Sequence, residues 1–150
     1  MLASKKGFSL LELLIVFIII GILSAATIPS YQRHIIKAKV LDAMTFVNSI
    51  KIATTDFYFQ HGFWPNNNQL DLNKNINNHA YIKHIVLSPN NTNDRHEENI
   101  LITFKGDSKL ENKLLILNSN IDNYHITWIC KPSDINKLDN ELLPASCKNK

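Results

Sequence analysis

The feature that most constrains this chain is an apolar run near its start, residues 8–28, FSLLELLIVFIIIGILSAATI, broken by one ionisable side chain, Glu12. At ~1.5 Å per residue a helix of that length spans ~30 Å, the hydrocarbon thickness of a bilayer. Lys5 and Lys6 lie just ahead of the run, and no positive cluster follows it at once. The positive-inside rule then puts Met1 in the cytoplasm and the C-terminal part outside. Three readings fit. A conventional signal peptide carries an apolar core of about 7–15 residues ending at small side chains, and Ser24-Ala25-Ala26 offers such a site. A plain anchor stays intact. The third reading turns on Glu12. A charged group in such a span costs on the order of a few kcal/mol near mid-membrane and usually marks function, although snorkelling near a helix end relieves part of the cost. A tolerated interfacial carboxylate is the plain alternative. A signal peptide has no need of it; a subunit that must meet a cationic partner inside the membrane does.

Beyond the run, Gly21 and Pro29 interrupt a helical pattern that then resumes. Ile36, Val40, Ala43, Met44, Val47, Ile50, Thr54 and Phe57 recur at spacings of three or four, which marks one apolar face of an amphipathic helix. Lys37, Asp42, Asn48, Lys51 and Asp56 fall mostly elsewhere. The stripe is a core face and not a cofactor site. Gly62 and Pro65 end the helix. The polar, asparagine-rich stretch 61–78 has no period and reads as a surface loop. Strand-like runs follow at 80–87, 99–105, 113–118 and 124–130, separated by polar or turn-forming residues. With no helical segments between them, they predict an antiparallel sheet and an α+β fold.

The soluble part, ~120 residues, can bury a modest core that a staple would help. Its two cysteines, Cys130 and Cys147, form no C-x-x-C pair, so a zinc site is not expected. In a chain that leaves the cytoplasm they read as one disulfide, the alternative being two unrelated buried thiols. The formal charge of +3, part of it Lys5 and Lys6, does not indicate a nucleic-acid protein. Direct DNA binding would rest on Lys148 and Lys150 alone. The six histidines are scattered without metal-ligand spacing, and no catalytic constellation or phosphate-cradling loop is visible, so neither a cofactor nor enzyme activity is expected. Asn90-Asn91-Thr92 matches a glycosylation sequon, a pattern that arises by chance in an asparagine-rich chain.

Gly7-Phe8-Ser9-Leu10-Leu11-Glu12 resembles the processing signature of type IV prepilins, and the likeness continues through Leu13-Leu14-Ile15-Val16, Gly21-Ile22-Leu23, Pro29 and Tyr31-Gln32. At the other end, Ile126-Thr127-Trp128-Ile129-Cys130 and Leu143-Pro144-Ala145-Ser146-Cys147-Lys148 are similar to the disulfide region of the type IVa subclass. The resemblance implies a pilin fold: a long N-terminal helix packed on a four-stranded antiparallel sheet, closed by Cys130–Cys147 with an exposed, variable loop between them. It divides the chain into a leader (1–7), a transmembrane and filament-core helix (8–28), an amphipathic helix (29–60), an αβ-loop (61–79), and the sheet with its disulfide region (80–150). It also implies that prepilin peptidase cuts between Gly7 and Phe8, that Phe8 is N-methylated, and that Glu12 serves assembly. The implied partners are other copies in a helical filament, an assembly ATPase and an inner-membrane platform. The implied location is the inner membrane before assembly and a surface pilus after it, with adhesion, twitching motility or DNA uptake as its use and a host surface or DNA as its target. The alternatives are a pseudopilin of a type II secretion system, a minor pilin, and, from another class, a secreted binding domain beginning after Ala26.

Overall fold

The computed structural model describes residues 7–72, 76–90, 97–122 and 125–148. The chain divides into two compact units, Met1–Ile35 and Ile36–Lys150. Helix α1, Leu10–His61, opens in the first and closes in the second. It is helical through Gly21 and Pro29, the two positions at which the sequence pattern breaks. The Ser9 carbonyl accepts the amides of Glu12 and Leu13 at 3.1 and 3.2 Å, which opens the first turn. At the other end Gly62, at φ +77°, donates its amide to the Tyr58 carbonyl at 2.8 Å. This is the left-handed stop that glycine allows, and the helix ends where Gly62 predicts.

In the second unit α1 lies over a meander of four antiparallel strands in the order β1-β2-β3-β4: Ile82–Asn90, Glu97–Phe104, Leu114–Asp122 and His125–Pro132. The expected helical stripe is the core face: Ile36, Val40, Ala43, Val47, Ile50 and Thr54 are buried, with Met44 and Phe57 half-buried beside them. Against it lie Ile82, Ile85 and Leu87 of β1, Ile100, Ile102 and Phe104 of β2, and Leu115 and Leu117 of β3. Strand β2 alternates strictly between half-buried and buried residues, the period-2 signature of a sheet with one face on a core.

Three expectations need correction. The strands run past their sequence limits at several ends: β1 reaches Asn90, β2 begins at Glu97, β3 continues to Asp122 and β4 to Pro132. Polar residues stay in the ladder because their backbones pair regardless of side chain, and because the side chains bond across strands, as Asn118 Nδ2 does to Asn99 Oδ1 at 2.8 Å. The proposed first residue of the last strand, Tyr124, lies outside the described residues. The stretch after the helix is not purely a surface loop: Leu72 and Ile76 are buried in the core, and Asn67 Oδ1 accepts the Leu87 amide at 2.7 Å. Nor is the segment between the cysteines simply exposed. Leu138, Leu142 and Leu143 are buried while Asp134, Ile135 and Asn136 face solvent.

Two further contacts tie the β2–β3 turn to its surroundings. Lys39 Nζ on α1 meets Asp107 Oδ2 at 2.8 Å, and the Lys109 amide caps the other oxygen at 3.0 Å. The Lys39 hydrogen bond, with the Lys109 amide, holds the Asp107 carboxyl below its usual range, so its stabilising effect is present above that range and fades as pH falls through the lowered value. Gly106, at φ +82°, lets the turn pass the Ala80 carbonyl; a Cβ there would sit 2.8 Å from that oxygen.

Cys130 on β4 and Cys147 in the short 3-10 turn Ala145–Cys147 are bridged, as expected, with Cα atoms 4.7 Å apart. The intervening chain is held twice more, by Leu114 N–H to Asn136 O at 3.0 Å and by a parallel bridge from Leu114 to Lys137. Phe104→Ala is expected to lower stability by about 3–5 kcal/mol in urea titration, while Ile52→Ala on the exposed side of α1 stays within about 0.5 kcal/mol. Cys147→Ser is expected to lower it by about 3 kcal/mol in the same titration, because an open tail regains conformational freedom on unfolding.

Candidate assembly surfaces

The first unit carries the residues that the sequence singles out for processing and assembly. Gly7 and Phe8 precede α1 without regular structure, and nothing approaches within 4 Å of where a Gly7 side chain would stand. Phe8 is 80% exposed. Glu12 lies in the first turn of α1, exposed, four positions and so about one turn after Phe8. From Leu10 to Leu23 every large apolar side chain is exposed, on all sides of the helix. A helix apolar all round belongs in lipid or among other helices. Among the described residues, α1 is the one helix with a stretch long and apolar enough to cross a membrane. The Thr27 hydroxyl bonds the Leu23 and Ser24 carbonyls, each at 3.2 Å, which keeps it compatible with that surrounding.

The second unit adds surfaces not anticipated from sequence. Leu41, Ile52 and Phe59 of α1 are more than half exposed. An open groove of about 630 Å³ runs between α1 and the edge strand β4, lined by Lys51, Ile52, Thr55, Phe59, Ile126 and Trp128 among others. The Trp128 indole N–H is satisfied by Thr55 Oγ1 at 3.2 Å, and desolvation lowers the Lys51 pKa. An aromatic cap closes this end of the unit, with Tyr58 and Trp64 ring centroids 4.3 Å apart and Trp64 set edge-on to Trp128 at 6.0 Å.

A second unanticipated residue is Glu98. Its place in a turn-forming stretch of the sequence suggested a loop, yet it is the second residue of β2 and is 0% exposed. The signal was the alternation Glu98, Ile100, Ile102, Phe104, which places it on the inward face. Neither carboxyl oxygen makes a well-formed hydrogen bond, the Ser88 and Asn99 backbones interacting with it only weakly. Burial pushes its pKa up to about 7 against the opposing pull of the Ser88 and Asn99 backbones.

Comparison with known proteins agrees with this geometry. Residues 36–148 match the pilin family, described as bacterial filament, and residues 2–28 match the prokaryotic N-terminal methylation motif. The chain is 32% identical over 148 residues to the fimbrial protein EcpC of Eikenella corrodens, covering 97% of this chain and 92% of that protein. It is 26% identical over 166 residues to the type IV major pilin protein PilE1 of Neisseria gonorrhoeae, covering 97% and 94%. A fimbrial protein of Neisseria meningitidis serogroup A is 45% identical over 64 residues, 43% of this chain and 38% of that one. An all-round apolar helix leading into an amphipathic half, a four-stranded antiparallel meander and a bridged tail therefore carry the family's match along nearly the whole chain: this protein belongs to the type IV pilin family, and is a structural subunit of pilus filaments, not an enzyme.

Proposed function

We propose that the chain is made as a prepilin, held in the inner membrane by residues 8–28 with Met1 in the cytoplasm, and cut by prepilin peptidase between Gly7 and Phe8. The Phe8 amine is then N-methylated and the subunit joins a surface fibre used for adhesion, twitching motility or DNA uptake. An assembly ATPase and a membrane platform supply the work, because moving an apolar helix from lipid into a helix bundle exchanges one apolar environment for another.

The observation that carries this reading is the lone carboxylate of Glu12 one turn beyond Phe8, on a helix otherwise apolar on every side. Cleavage removes Lys5 and Lys6 and leaves a cation at Phe8. A neighbouring copy displaced along the axis by about 6 Å brings its Phe8 amine beside this Glu12. Each charge alone is costly in a dry bundle, and the pair neutralises both. The pair selects one register and leaves affinity to packing. The exposed Leu41, Ile52 and Phe59 of α1 are further surface for contacts between copies.

Mass spectrometry of the protein isolated from cells is expected to give a chain that begins at Phe8, carries one N-methyl group and holds Cys130 and Cys147 oxidised. Glu12→Ala is expected to leave cleavage largely intact while sheared filament yield drops at least about tenfold. A mature protein starting after Ala26, or a normal fibre yield from Glu12→Ala, contradicts the reading.

A further inference from the structure

The core of the second unit contains a group that assembly does not explain. Among the described residues, two buried side chains hold polar atoms without a well-formed hydrogen bond: the hydroxyl of Thr54 and both carboxyl oxygens of Glu98, which the Ser88 and Asn99 backbones offset only in part. A threonine hydroxyl left so is a small cost. A carboxyl is a larger one, since an unpartnered buried polar group costs about 1–3 kcal/mol even when neutral and far more when charged.

Glu98 is held inward by its own strand. Its amide donates to the buried Ser119 hydroxyl at 2.7 Å, and it stands opposite Pro89 in the β1–β2 ladder. A shift of one residue would turn Ile100, Ile102 and Phe104 out of the core, so the side chain cannot leave by changing register. No titratable or charged group faces it among the described residues. Helix α1 turns Ile36, Val40, Ala43, Val47, Ile50 and Thr54 inward. Strand β1 offers Ile82, Ile85 and Leu87; β3 offers Leu115, Leu117 and Ser119; β4 offers Trp128 and the bridged Cys130. The charged and titratable groups of these same elements lie off that buried face, among them Lys37, Lys39, Asp42, Lys51 and Asp56 on α1, Lys83 and His84 on β1, Asp122 on β3, and His125 and Lys131 on β4. The neighbouring Glu97 points the other way and meets Asn118 Nδ2 at 3.4 Å on the outer surface.

We propose that Glu98 is a built-in pH switch: as a neutral acid it lets the β1–β2 end of the sheet stay closed on the core, and as a carboxylate it draws water in and loosens that end. The direction follows from burial. The folded state raises the carboxyl to about 7, and the unfolded chain returns it to the ordinary 4.5. Its contribution to stability is thus fully present below 4.5 and is lost as pH rises through 7. The subunit is firmest in mildly acidic surroundings and most easily opened in alkaline ones, whichever machinery assembles it.

The test uses the full mature chain in detergent micelles. Denaturant unfolding of the wild type and of Glu98→Gln is compared at pH 5 and pH 8.5, so that histidine titration common to both cancels. The wild type's unfolding equilibrium constant is expected to rise on the order of a hundredfold more than the variant's over this range. Equal pH dependence in the two overturns the proposal. A second measurement does not depend on the variant folding: the carbon-13 shift of the Glu98 side-chain carboxyl in the wild type, followed through pH 4–9. A midpoint near 7 supports the switch, and a midpoint near the ordinary 4.5 overturns it.

Discussion

One helix face decides what the rest of this molecule can be. Ile36, Val40, Ala43, Val47, Ile50 and Thr54 are closed off from water because four strands cover them. Each large aliphatic side chain so buried contributes about 1.5–3 kcal/mol, which a lone amphipathic helix in water cannot supply for itself. The stripe therefore demands the sheet, and the sheet, apolar on its inner face, demands the stripe. Between residues 10 and 23 every large apolar side chain of the same helix is exposed. Such a surface must be met by lipid or by other copies, and the family's filaments provide the second. In that setting hydrophobicity no longer distinguishes one neighbour from another. The role proposed for Glu12 follows from its being the one carboxylate in that stretch.

Much of this was legible in the sequence, for a physical reason. The spacing of Ile36 to Thr54 follows the helix period, and a face covered by one partner leaves that period intact. Gly62 announces the helix end because few other residues tolerate its φ of +77°. The two cysteines of an exported chain pair because nothing else is available to them. The misses share a different cause. Leu72 and Ile76 lie in an asparagine-rich stretch, where two isolated apolar residues make no period, yet both reach the core. The strand end from Ser119 to Asp122 went unseen because ladder pairing depends on backbone groups, which every residue except proline carries in full. Glu98 was hidden by its own chemistry: an acid beside asparagine reads as a turn, and only the alternation with Ile100, Ile102 and Phe104 shows its side.

The bridged tail illustrates why a small domain uses a staple. A sheet of four strands beside one helix leaves the lower edge of its core open to the chain that follows β4. Leu138, Leu142 and Leu143 fill that edge, but they come from a segment whose regular structure amounts to one bridge and one short turn. Few backbone hydrogen bonds hold such a segment, so the covalent link at Cys147 and the bond from Leu114 to Asn136 hold its ends. The exposed crest, Asp134 and Ile135, is then free to vary in chemistry without disturbing the leucines beneath, whereas Asn136, at φ +53°, is held by its bond to Leu114. Corrected from a plain exposed loop, the tail has an inside and an outside, and its display surface is confined to the latter.

Glu98 violates the pattern that the rest of β2 obeys, and violations of local consistency concentrate where function or strain resides. A leucine at that place would satisfy the inward face at no electrostatic cost. With the carboxyl neutral the penalty is that of an unpaired polar group, small enough for the surrounding burial to absorb. With the carboxyl charged the penalty grows beyond what a marginally stable domain tolerates in place. Either the proton stays or the structure around it yields. The described residues that face Glu98 offer no cation to resolve the conflict, and register forbids turning the side chain outward without expelling three core residues. A proton is therefore the ligand that completes this part of the core, and whether the β1–β2 end remains closed depends on whether the medium provides it.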